Sequence, residues 1–153
     1  MGEVIYIIPL MGEIIKPVEG NSLPLPFFNG TVPAGFPSPA EDYEEEVLNL
    51  HDLVVVNPAA TFFIRIDGDS MVGAGILDGS IVAVDRSLPV VSNSVVIAAV
   101  DGMPTVKWFI QEGRQCYLKP ANPKYKTIML EEGSELRVWG VVTYVVQKPL
   151  GAH

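Results

Sequence analysis

The chain is poor in the residues that most often carry disulfide or metal chemistry: its 153 residues include one cysteine, Cys116, and two histidines, His51 and His153. A lone cysteine excludes an intrachain disulfide, and two histidines so far apart offer no spacing typical of a zinc site, so no metal or other cofactor is expected. Cys116 falls in a strand-like run and is read as a packing residue. Positive charge is scarce too, with 10 Lys and Arg against 18 Asp and Glu and a net charge of −8. A chain of that sign is repelled by phosphate backbones, which argues against direct sequence-specific DNA binding. No run of about 18 apolar residues exists to span a bilayer. The short Val4–Leu10 stretch contains Pro9 and lacks the basic leader and following cleavage region of a secretory signal, so the expectation is a cytoplasmic protein off the membrane.

What is present is a hydrophobic content of 48%, enough for a sizeable core in one domain with a tail. Residues 1–37 are punctuated by Pro9, Pro17, Pro24, Pro26, Pro33 and Pro37. Proline removes a backbone donor and disfavours a helical residue before it, so this segment reads as an extended or looped arm. Ser38-Pro39-Ala40-Glu41 then carries a helix start, with a capping serine, proline at the first helical position and glutamate three residues after the cap. That helix is expected to run to about Glu46, its acidic residues forming a solvated face. A second short helix is expected around Asp52–Val56, before Asn57-Pro58.

From Thr61 the pattern changes. Thr61–Ile66, Ile81–Val84, Val95–Val100, Thr105–Ile110, Cys116–Leu118 and Arg137–Val146 are rich in β-branched and aromatic residues. They are separated by the turn signals Leu77-Asp78-Gly79, Asp101-Gly102, Glu112-Gly113 and Glu132-Gly133. Strands so spaced predict a mainly β domain of mostly antiparallel strands with short helices, preceded by an extended N-terminal arm. The division of interest is residues 1–37 as arm and 38–153 as body.

Two separated motifs carry chemistry. Gly68-Asp69-Ser70-Met71 follows a β-run and precedes a short helical turn, a place where backbone N–H groups can face a developing oxyanion. Taken alone it is a turn with a capping serine. Thr105-Val106-Lys107-Trp108 alters that weighting, because strand alternation sets Thr105, Lys107 and Phe109 on one face and Val106, Trp108 and Ile110 on the other. A serine hydroxyl attacks a carbonyl only if something takes its proton, and a lysine kept neutral by burial can do so. An ordinary lysine has a pKa of about 10.4, so Lys107 must be desolvated to serve as a base near neutrality. An exposed edge-strand lysine that discourages aggregation is the competing reading. Ser70 is the candidate nucleophile and Lys107 its base. The candidate substrate is in the same chain: Ala34-Gly35, within Val32-Pro33-Ala34-Gly35-Phe36-Pro37, is a small pair that a nucleophile can approach closely.

From about Ala34 to Lys148 the chain resembles the UmuD branch of the LexA/UmuD self-cleaving serine peptidases. The resemblance is carried by Ala-Gly-Phe-Pro-Ser-Pro-Ala at 34–40, Asp67-Gly-Asp-Ser-Met71, Asp85, Val100-Asp-Gly102, Thr105-Val-Lys107 and Gly140-Val-Val142. Ala34 departs from the cysteine usual in that branch and agrees with the alanine-glycine of the repressor relatives. The resemblance implies a LexA/UmuD-type peptidase domain with a Ser70–Lys107 dyad, an oxyanion hole made by the amides of Asp69 and Ser70, and cleavage between Ala34 and Gly35. It further implies a homodimer, a RecA–single-stranded DNA filament as trigger, and a trimmed form that joins the catalytic subunit of a Y-family translesion polymerase in SOS mutagenesis. The repressor relatives carry a DNA-binding helical domain before the cleavage site, for which the proline-rich segment before Gly35 is expected to leave no room. The alternative from another class is a non-catalytic dimeric binding module regulating a polymerase or repressor. A signal peptidase using serine and lysine is disfavoured for want of an expected membrane anchor.

Overall fold

Runs of β-branched and aromatic residues gain most by pairing edge to edge, and from residue 61 onward the chain does little else. The structure, a computed structural model, describes residues 23–37 and 44–151. They fall in two compact units, within Val18–Val56 and Asn57–His153.

In the larger unit, β3 (Thr61–Arg65), β4 (Ile81–Asp85), β5 (Ser94–Val100), β6 (Met103–Glu112), β7 (Gln115–Lys119), β8 (Ile128–Met129) and β9 (Leu136–Val146) form one seven-stranded sheet. Its order is β3-β4-β9-β5-β6-β7-β8, with every neighbouring pair antiparallel. The six expected strands are all present, most of them a residue or two longer. The Asp101-Gly102 turn joins β5 to β6 with φ positive at both residues, the geometry that matches the twist of a two-residue hairpin.

Alternation along the strands sends side chains to two cores. Ile66, Met71, Ile76, Val82, Val84, Ile97 and Val106 form one, with Trp108 packed against it. Val96, Ala98, Phe109, Cys116, Leu118, Leu136 and Val138 form the other. Adjacent residues of β6 thus serve opposite faces, as the sequence pattern predicts, and Cys116 is a free, buried packing residue.

The centre of the sheet tolerates no side chain at position 140. A Cβ built on Gly140 would lie 2.7 Å from Val84 Cγ1 and 2.9 Å from the Asp85 carbonyl oxygen. Gly140→Ala is therefore expected to destabilise the protein by about 1–3 kcal/mol, the usual cost of overpacking. Urea denaturation checks this, and an unchanged midpoint would refute the close approach.

In the other unit, β1 (Leu25–Asn29) pairs antiparallel with β2 (Glu44–Leu48). This corrects the expected helix to Glu46, whose start at Ser38–Tyr43 lies outside the described residues. A helix through 41–46 would stack like charges at i, i+4, Glu41 on Glu45 and Asp42 on Glu46. In the strand, β1 supplies the backbone partners, and Asn29 Nδ2 donates to Glu46 Oε1 at 3.2 Å. Local capping signals lose to a pairing made with residues far away in sequence. The second helix, α1, covers Leu50–Val54, two residues earlier than expected, because the Asn49 side chain caps it by accepting the His51 N–H at 3.0 Å.

Candidate active site

The loop that carries Ser70 is short and held at several points. It leaves β3 at Arg65 and enters a single 3-10 turn at Val72–Ala74, so the serine lies between a strand end and a helical turn, as predicted. Gly68 N–H donates to Asp78 Oδ1 at 2.7 Å, fixing the approach to the loop. Beyond the serine, Met71 is 1% exposed and sits in the first core.

Lys107 comes from the middle of β6, where it pairs with Val96 of β5. The residue just before it, Val106, belongs to the same core cluster as Met71. The residue after the serine and the residue before the lysine therefore belong to one cluster, so the backbone beside each functional group is anchored in the same core. Lys107 Nζ lies 3.0 Å from Ser70 Oγ.

Lys107 is 7% exposed, and burial lowers its pKa from the ordinary lysine value because the charged form is poorly solvated there. Three acceptors surround the nitrogen: Ser70 Oγ, Thr105 Oγ1 at 2.7 Å and the Val106 carbonyl oxygen at 3.0 Å. An ammonium group donates to all three. A neutral amine has two hydrogens, and with these given to Thr105 and Val106 its lone pair faces the Ser70 hydroxyl. The arrangement can therefore accept the serine proton. Thr105 sits two residues before Lys107 on the same strand face, so its proximity was legible in the alternation, although its role as a partner was not read there.

The Asp69 carbonyl accepts from Val72 N–H at 3.3 Å and from Asn122 Nδ2 at 2.9 Å. The Ser70 carbonyl accepts from Ala121 N–H at 2.8 Å. The amide N–H groups of Asp69 and Ser70 donate to no protein acceptor among the described residues. Gly73 closes the same region, for a Cβ there would lie 2.6 Å from the Ala121 carbonyl oxygen, which accepts the Gly73 N–H at 2.8 Å. These partners from residues 121–125 lie some fifty positions away, and sequence reasoning missed them. The Ala34-Gly35 pair lies in the other compact unit, on the exposed loop that follows β1, with Phe36 beside it 93% exposed.

The sequence matches the Peptidase S24-like family over residues 26–143, a span that contains Ser70, Lys107 and every strand of the large sheet up to most of β9. The chain belongs to the Peptidase S24-like family. Protein MucA of Salmonella typhimurium is 39% identical over 128 residues, covering 82% of this chain and 87% of the relative. Protein SamA of Salmonella typhimurium strain LT2 is 42% identical over 133 residues, covering 87% and 90% respectively. The LexA repressor of Acidithiobacillus ferrooxidans is 39% identical over 127 residues, or 81% of this chain and 60% of that longer protein. The resemblance to the LexA/UmuD peptidases drawn from separated motifs thus holds across most of the S24-like chain. The predicted mainly β, antiparallel fold holds with it. No helix among the described residues is long and apolar enough to cross a membrane.

Proposed function

We propose that this S24-like peptidase cuts its own chain between Ala34 and Gly35, with Ser70 as nucleophile and Lys107 as general base. The observation that carries the reading is the 3.0 Å approach of a buried, desolvated lysine nitrogen to a serine oxygen. Neutral Lys107 takes the Ser70 proton as Oγ bonds to the Ala34 carbonyl carbon, and the carbonyl electron pair moves to oxygen. The amides of Asp69 and Ser70 donate to that oxyanion. As the intermediate collapses, the Ala34–Gly35 bond breaks and Lys107 returns the proton to the departing Gly35 nitrogen. The Ser70 ester of Ala34 is then hydrolysed by a water that Lys107 deprotonates, regenerating the serine.

Residues 1–34 hold Glu3, Glu13, Glu19 and Lys16, so their release changes the net charge only from −8 to −6. Exposure of a surface, rather than electrostatics, is the switch in this reading. The trimmed protein is a cytoplasmic homodimer that serves as accessory subunit of a Y-family translesion polymerase in SOS mutagenesis, and a RecA–single-stranded DNA filament triggers the cut. Similarity to MucA, SamA and LexA supports that setting.

Intact-mass measurement after incubation with and without activated RecA filament tests the site. The expected new amino terminus is Gly35-Phe36-Pro37. A dominant cut elsewhere overturns the assignment of the bond, and the absence of any fragment under all conditions favours a non-catalytic binding module.

A further inference from the structure

Residues 121–125 take no part in the proton transfers above, yet four hydrogen bonds tie them to the loop that holds the serine. Ala121 N–H donates to the Ser70 carbonyl and Gly73 N–H donates to the Ala121 carbonyl, each at 2.8 Å. Asn122 Nδ2 donates to the Asp69 carbonyl at 2.9 Å, and the Tyr125 hydroxyl donates to the Asp69 carboxylate. Two of the four converge on Asp69, one on its backbone oxygen and one on its side chain.

The Asp69 carbonyl and the Ser70 N–H belong to one peptide unit. That unit is planar and trans, so the two bonds point in opposite directions and fixing the oxygen fixes the aim of the hydrogen. Asn122 is itself held in one orientation, because its Oδ1 accepts the Lys124 N–H at 3.0 Å, leaving Nδ2 directed at Asp69. Donation to the carbonyl oxygen also draws electron density from the amide, which strengthens the N–H on the other side as a donor.

We propose that Asn122, through the Asp69 carbonyl, and Tyr125, through the Asp69 carboxylate, are positioning residues that hold the Ser70 N–H on the oxyanion formed during self-cleavage. The inference rests on the Ser70–Lys107 reading and adds to it a second element of the chain that governs transition-state stabilisation. Neither residue hydrogen-bonds to the lysine. The hydrogen bond to Asp69 raises the Tyr125 pKa above the ordinary tyrosine value, which keeps the phenol a donor to higher pH than a free tyrosine.

The test follows first-order self-cleavage against pH for the full chain and for Asn122→Ala, Asn122→Asp and Tyr125→Phe, with thermal unfolding measured on each. Asn122→Asp is the decisive variant. It keeps the size of the side chain and the oxygen that accepts Lys124 N–H, and replaces the donor to Asp69 with an acceptor that carries a negative charge. Asn122→Ala and Asn122→Asp are each expected to slow cleavage about tenfold, less than the loss of a direct oxyanion donor, with Tyr125→Phe slower than wild type by a smaller factor. In Asn122→Ala and Tyr125→Phe, which add no charge, the pH at which the rate levels off should not move, because that pH belongs to Lys107, whereas the negative charge of Asn122→Asp raises it. Wild-type cleavage by Asn122→Asp overturns the proposal, as does a slowdown of Asn122→Ala that comes with a shifted levelling pH or only with a lowered melting temperature. If the wild-type chain yields no fragment at any pH, the Ser70–Lys107 reading fails first and this inference with it. Cleavage by wild type and all three variants at equal rates removes the inference alone.

Discussion

Ser70→Ala gives a folded protein that no longer cuts itself. Among the described residues the serine oxygen has one hydrogen-bonding side-chain partner, Lys107, and the lysine nitrogen keeps Thr105 Oγ1 and the Val106 carbonyl when that oxygen is removed. A neutral amine with two hydrogens and those two acceptors remains satisfied, so the loss in stability should not exceed about 1 kcal/mol. Met71, which anchors the loop in the core, is untouched. Cleavage, by contrast, loses the only atom proposed to form the bond to Ala34. The expected result is full-length protein after prolonged incubation with RecA filament, with a urea midpoint close to that of wild type. Fragment production at the wild-type rate by the purified alanine variant removes Ser70 from the mechanism.

Lys107→Arg should abolish cleavage although it preserves charge and much of the reach. A guanidinium stays protonated across the accessible pH range and offers no lone pair to the serine proton. Loss of the general base is expected to slow the reaction by about 10²- to 10⁴-fold. In the wild type, spontaneous cleavage should rise with pH as the neutral fraction of Lys107 grows. It should level off below the ordinary lysine pKa, because burial lowers the value for Lys107. A flat profile contradicts the neutral-lysine account, and wild-type cleavage by the arginine variant eliminates the base.

The same burial has a stability consequence of opposite sense to a salt bridge. The unfolded chain binds a proton at this lysine more readily than the folded chain, so stability rises with pH between the lowered folded pKa and the unfolded value. Below that window the folded state carries the full penalty of a buried cation. Lys107→Met, inactive by the same argument, is accordingly expected to be more stable than wild type at pH 7. Its advantage should shrink as pH rises towards the ordinary lysine pKa.

The strands were legible because runs of β-branched and aromatic residues bounded by turn signals mark segments that pair in a sheet, and Thr105–Ile110 adds the period of two that assigns its side chains to faces. The dyad was legible for a related reason. A lysine among Val106, Trp108 and Phe109 is anomalous on a strand that must pack, and such an anomaly marks a side chain in need of a buried polar partner, which the structure supplies as Ser70. The segment at 44–48 misled for the opposite reason. Its local capping signals pointed to a helix, while its actual partner, Leu25–Asn29, was fixed by contacts that no local pattern records.

From its residues alone the chain determined a β body and singled out a serine and a lysine as a candidate pair. Only the tertiary structure decided how near the pair would come: 3.0 Å between Ser70 and Lys107, with their neighbours Met71 and Val106 anchored in one core cluster. It decided equally that Asn122 and Tyr125 would reach Asp69 from more than fifty residues away. Periodicity reports which face of an element is buried. Which residues meet there depends on the register and packing of elements distant in sequence, and those are properties of the whole chain.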